Sequence, residues 1–98
     1  MVYIAPRAIA RFALAILSAI PAVRAIGRTA VPLSAPAAWE QVTIHQPTQL
    51  TLLLTVAASA DITATRQAVH DRLGARLTAW LGEPVTLDIH IVALAPDA

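Results

Sequence analysis

Leu50, Leu52, Leu54 and Val56 alternate with Thr51, Leu53 and Thr55. A period of two sends successive side chains to opposite faces of a pleated strand, so this run predicts a strand with one wholly aliphatic face. A turn-like Ala58-Ser59-Ala60 follows, and then Asp61, whose carboxylate suits a helix N-cap. The spacing next turns helical. At 100° per residue from Thr63, the residues Ile62, Val69, Leu73, Leu77 and Trp80 gather between about 240° and 320°. Gln67, Asp71 and Thr78 take the other side. Gly82 and Pro84 stop this helix, and Val85 to Leu94 alternates again.

The first half reads less regularly. Met1 to Ile4 is a short β-prone start, and Pro6 suits the first turn of a helix, where its missing N–H costs nothing. That helix runs to about Ile20, with Pro21 biasing its predecessor away from helical angles. Arg7, Arg11 and Ser18 fall within about 40° of one another, while Ile9, Phe12, Ala13, Ile16 and Ile20 gather from about 140° to 240°. Such segregation argues against a secretory signal, whose apolar region needs none. The uncharged stretch from Phe12 to Val23 has 12 residues, against roughly 20 for a membrane span. Two placements of the helix stay open: its apolar face covers a sheet, or it lies on a membrane with its arginines toward headgroups.

Ala22 to Arg28 is a candidate strand, and residues 29–38, with Pro32, Ser34 and Pro36, form a loop or tether between halves. Trp39 to Ile44 reads as a strand that turns through His45-Gln46-Pro47-Thr48-Gln49 into the strand at Leu50, a hairpin. The expected fold is α+β: a mainly antiparallel sheet with two amphipathic helices on one face, in the order β-α-β-β-α-β with a short first strand. Leu50, Leu52, Leu54, Val56, Leu87, Ile89 and Ile91 would face the helices. Thr51, Leu53, Thr55, Thr86, Asp88, His90 and Val92 would line the opposite face.

Ninety-eight residues, 57% of them hydrophobic, suit one domain over residues 1–98 with a short tail at 95–98. That much apolar surface can offset ordering entropy, and in so small a chain it invites self-association. Cysteine is absent, which removes disulfides, thiolate metal sites and a cysteine-based heavy-metal carrier. All seven basic residues are arginine. Residues 1–39 hold Arg7, Arg11, Arg24 and Arg28 without an acid, whereas residues 40–98 hold three arginines against six acids. That split is either ordinary solvated charge or a mark of contact with an anionic surface or acidic partner, for which the four arginines are the candidates. No aromatic platform is interleaved with them, so nucleic acid is not expected.

Candidate chemistry is sparse. Of His45, His70 and His90, only His90 shares a strand face at close spacing with an acid, Asp88, and a metal site needs three or four converging ligands. No carboxylate pair, nucleophile elbow or phosphate loop occurs. No catalytic, cofactor-binding or metal-ligating residue is therefore assigned. Arg66 falls near 300° on the second wheel, inside the apolar stripe. Either its stem covers the core edge with the guanidinium in water, or it holds a partner carboxylate near the helix start.

Two stretches resemble the alkaline shock protein family, the small bacterial envelope-stress-response domain. The first is Val2-Tyr3-Ile4-Ala5-Pro6-Arg7-Ala8-Ile9-Ala10-Arg11-Phe12-Ala13, continuing to the exit Ile20-Pro21-Ala22-Val23. The second, Leu50 to Leu94, is similar in its strand, its helix opened by Ile62, its glycine at Gly82 and its closing Val-x-Leu-x-Ile-x-Ile strand. The family's glycine-rich segment after the first helix is reduced here to Gly27. The resemblance implies a non-enzymatic module, cytoplasmic and peripheral at the inner face of the cell membrane. A membrane-anchor protein would hold it there, and it would form homo-oligomers. A small-ligand-binding regulatory domain of βαββαβ layout is the alternative, on fold analogy alone. Arg7, Arg11, Arg24, Arg28 and Arg66 are the candidate interaction residues.

Overall fold

The computed structural model describes residues 5–46 and 48–96. Its elements are α1 (Pro6–Ser18), β1 (Val23–Ile26), β2 (Val31–Pro32), a short 3-10 helix (Ala38–Gln41), β3 (Thr43–Gln46), β4 (Gln49–Ala57), α2 (Ile62–Leu81) and β5 (Thr86–Ala95). The fold is α+β, two helices against one curled five-stranded sheet, in an order broadly consistent with the expected one from α1 onward, with four strands rather than two between the helices. The strand expected at Met1 to Ile4 lies outside the described residues.

Strand β4 organises the sheet. Its C-terminal half pairs antiparallel with β1 (Ile26 opposite Leu54) and its N-terminal half with β3 (Ile44 opposite Leu50). The whole of its other edge pairs in parallel with β5, from Gln49 opposite Thr86 to Ala57 opposite Ala95. A parallel return needs a crossover, and α2 supplies it. Leu50, Leu52, Leu54 and Val56 are all fully buried. The alternation read from sequence is therefore the alternation of the sheet. Beyond β4, the outer edge of β5 pairs with nothing among the described residues.

Helix α2 starts and stops where its residues require. The Asp61 carboxylate accepts a hydrogen bond from the Ala64 N–H at 2.9 Å, satisfying one of the free donors of the first turn. Gly82 closes the other end in the left-handed region, at φ 75°, and its N–H donates to the Thr78 carbonyl. Val69, Leu73 and Leu77 are fully buried against the sheet, while Arg66, at the helix start, stays exposed. A Cβ at Gly74 would make only an ordinary van der Waals contact with Leu87, so the approach of α2 to β5 does not require glycine there.

Three readings change. In α1 the buried side chains are Ile9, Ala10, Ala13, Leu14 and Leu17, with Phe12 and Ile16 only partly covered. Relative to the arc predicted from sequence, the helix is turned by about 80°. In this orientation the Phe12 ring packs on Trp80 of α2 with centroids 4.6 Å apart. Trp39, Glu40 and Gln41 lie in the 3-10 helix rather than a strand, and the strand continues past Ile44 to Gln46. Residues 29–38 are not a free tether: Val31 and Pro32 pair with β1, and Leu33 and Ala35 pack against the core.

Candidate interaction surface

Helix α1 has three sides: one is buried in the core, and the third, described below, only edges it through the partly buried Phe12 and Ile16. A second side carries Arg7 and Arg11, both exposed, whose guanidinium carbons sit 5.1 Å and 5.8 Å from the Trp39 ring centre. The 3-10 helix places Trp39 there, and the negative ring face holds the two cations near the protein surface. The third side is the row Phe12, Ala15, Ile16 and Ala19, at helical i, i+3, i+4, i+7 spacing.

This row faces Asp71, Arg72, Ala75 and Arg76 of α2 across a groove of about 680 Å³. Ala15, Ala19 and Ala75 explain the opening: methyl side chains cannot fill the space between two helices already propped apart at one end by the Phe12–Trp80 ring pair. Trp80 is itself 40% exposed. Apolar side chains thus line one wall, and Arg72 and Arg76, one turn apart, border the other. No ion pair of either arginine is present among the described residues. The one acid, Asp71, already accepts from the Gln67 side-chain amide at 2.8 Å and lies 3.3 Å from His70.

Charge is distributed by layer. The two helices carry five exposed arginines (Arg7, Arg11, Arg66, Arg72 and Arg76) against the single acid Asp71. Of the other acids among the described residues, Glu40, Asp61, Glu83 and Asp88 lie outside these two helices. The asymmetry that sequence shows between halves becomes in space an asymmetry between the helix layer and the rest.

The five arginines singled out from sequence occupy separate places. Arg7 and Arg11 meet at Trp39. Arg24 is exposed on β1, and Arg28, in the turn after β1, borders a shallow hollow of the opposite sheet face with Leu53, His90 and Val92. Arg66 lies with Ile62 and Leu87 where α2 overhangs β5. Sequence reasoning missed Arg72 and Arg76. Their four-residue spacing was visible, but the alanines opposite them belong to a helix more than fifty positions away.

The histidines do not converge. His45 Nε2 is 2.9 Å from Thr51 Oγ1, His70 meets Asp71, and His90 Nε2 lies 3.0 Å from Asp88 Oδ2 on the sheet face. Among the described residues no three His, Cys, Asp or Glu side chains could hold a metal ion, and no helix is long and apolar enough to cross a membrane. Set against family models, curated proteins and solved structures, the chain finds no match.

Proposed function

We propose that this chain is a non-enzymatic interaction module, working at the cytoplasmic face of a bacterial membrane, that docks an acidic amphipathic segment of a membrane-anchor protein and associates with itself. The observation that carries the docking is the groove between α1 and α2, with an apolar wall at Phe12 and Ile16 and, opposite it, Arg72 and Arg76, which have no ion pair among the described residues. Such a groove suits a helix laid in by its apolar face with carboxylates toward the arginines. The resemblance to the envelope-stress domain points to a partner of the same kind. Site-specific photo-cross-linking tests it, with the reactive group at Ala15 or Ala75 in the groove and at Thr43 on the sheet as control. The reading expects an integral membrane protein captured from the groove positions only, with capture lost in Arg72→Glu/Arg76→Glu. Equal capture from Thr43, or direct binding to protein-free anionic vesicles undiminished by those substitutions, would overturn it. The groove volume of about 680 Å³ also suits a small ligand. That second reading expects saturable metabolite binding in the absence of any membrane fraction.

A further inference from the structure

The ten-residue strand β5 ends the sheet with one edge unpaired among the described residues. Exposed edges template pairing with another chain unless something blunts them. The backbone fixes which groups this edge offers. The Thr86 N–H donates to the Thr48 carbonyl at 2.7 Å, so Thr86 faces β4. Alternate residues of a strand turn their N–H and C=O to opposite edges. Leu87, Ile89 and Ile91 therefore present both groups outward. The register with β4 runs straight to Ile91 and shifts only after it, with Ala93 rather than Val92 opposite Thr55. Residues 86–91 are thus a straight, unpaired template.

Its outer-face side chains are Thr86, Asp88 and His90, followed by Val92. Asp88 and His90 are a contacting pair at 3.0 Å, and both remain more than half exposed. Val92 is 47% exposed. Two identical strands pairing antiparallel about a two-fold axis must place that axis on a residue, because opposite residues share an edge orientation. An axis at Asp88 sets Asp88 against itself, and an axis at His90 sets His90 against itself. An axis at Ile89 sets Asp88 of each copy against His90 of the other.

We propose that β5 pairs with β5 of a second copy about a two-fold axis at Ile89, making one sheet continuous through both copies. In this register Ile89 meets itself and Leu87 meets Ile91 as hydrogen-bonded pairs, which gives about six backbone hydrogen bonds. Asp88 and His90 fall on the intervening non-hydrogen-bonded positions, where opposite side chains approach most closely. On the helix side the facing residues are aliphatic throughout, and on the other side Val92 covers Thr86. Charge, hydrogen-bond phase and apolar pattern agree on this axis. The inference rests on the self-association in the proposed function but not on its helix groove.

The test combines sedimentation equilibrium of the full chain with amide exchange followed residue by residue by NMR. The expected result is a dimer whose Leu87, Ile89 and Ile91 amides exchange slowly when concentrated and quickly when dilute, while Leu52 stays protected throughout. His90→Asp puts like charges opposite each other twice and should raise the dissociation constant about tenfold or more. The double variant Asp88→Lys/His90→Asp restores opposite charges across the axis and should recover dimerisation. Both positions are exposed, and unchanged Leu52 protection verifies folding. A monomer at every concentration would overturn the inference together with the self-association it rests on. An oligomer whose three β5 amides ignore concentration, or one indifferent to His90→Asp, would overturn the edge pairing and leave self-association standing.

Discussion

Replacing Leu17 by alanine, beside the same change at Phe12, measures how α1 is turned on the sheet. Leu17 is fully buried, and its removal leaves a hole bounded by core side chains that cannot all follow it inward. Leucine-to-alanine changes at such sites cost 2–5 kcal/mol, so about 3 kcal/mol is expected. Phe12 is the larger side chain but only partly covered, and its ring meets Trp80 at the protein surface. Losing a partial share of its burial and an aromatic pair worth about 0.5–1.5 kcal/mol should cost about 1.5 kcal/mol in all. In a domain of this size each kcal/mol shifts the melting temperature by about 4–8 °C. The expected decreases are thus about 15 °C for Leu17→Ala and about 8 °C for Phe12→Ala. Urea unfolding followed by far-UV circular dichroism gives the free energies directly, and unchanged slopes would show that neither variant alters the unfolded chain. If Phe12→Ala proved as costly as Leu17→Ala, Phe12 would belong to the core and the groove beside it would not exist.

Three smaller changes probe single causes. Asp61→Ala removes the carboxylate that caps α2 and should cost about 1 kcal/mol by urea unfolding, with Asp61→Ser retaining most of it. Gly82→Ala meets no atom within 4 Å, so its whole effect is the left-handed backbone, about 1 kcal/mol by the same measurement, and Gly82→Asn should cost less. Thr55 is buried on β4 and its hydroxyl has no hydrogen-bond partner among the described residues. Thr55→Val should therefore leave stability unchanged or raise it by up to about 1 kcal/mol, and a loss above that would reveal a partner for the hydroxyl.

The second half of the chain was legible because each of its elements carries one period and a chemical stop. Leu50 to Val56 alternates, Asp61 and Gly82 bracket α2, and Leu87, Ile89 and Ile91 return to alternation. Helix α1 was not legible to the same depth. Its polar residues show only which side stays wet, and apolar residues occupy nearly everything else. Ile9 and Leu17 compete there with Phe12 and Ile16 for the core. Phe12 meets Trp80, which is far away in sequence and gives no local signal. Likewise, nothing local distinguishes Trp39 in a 3-10 turn from Trp39 in a strand; the fully buried Ala38 and the neighbouring Arg7 and Arg11 decide it. The groove needed both helices placed before Arg72 and Arg76 could be set opposite Ala15 and Ala19. Sites made by the packing of distant elements leave little trace in either element.

The two proposed contacts bear on each other through symmetry. In an antiparallel pairing of β5 the two-fold axis stands perpendicular to the sheet, because opposite side chains point to the same face. Both helix layers then lie on one side of the continuous sheet, and both arginine-bordered grooves open toward the same surface. A membrane presents its anchor segments in a plane, so a dimer of this form could engage two at once. The second engagement would be intramolecular and would strengthen attachment without any new contact. Pairing through the opposite sheet face would instead turn the grooves away from each other and forfeit that gain. The β5 variant His90→Asp should therefore weaken retention on membranes containing the partner while leaving the affinity of one groove for one segment unchanged. Equal loss of both would mean that edge and groove are not the separate surfaces their geometry indicates.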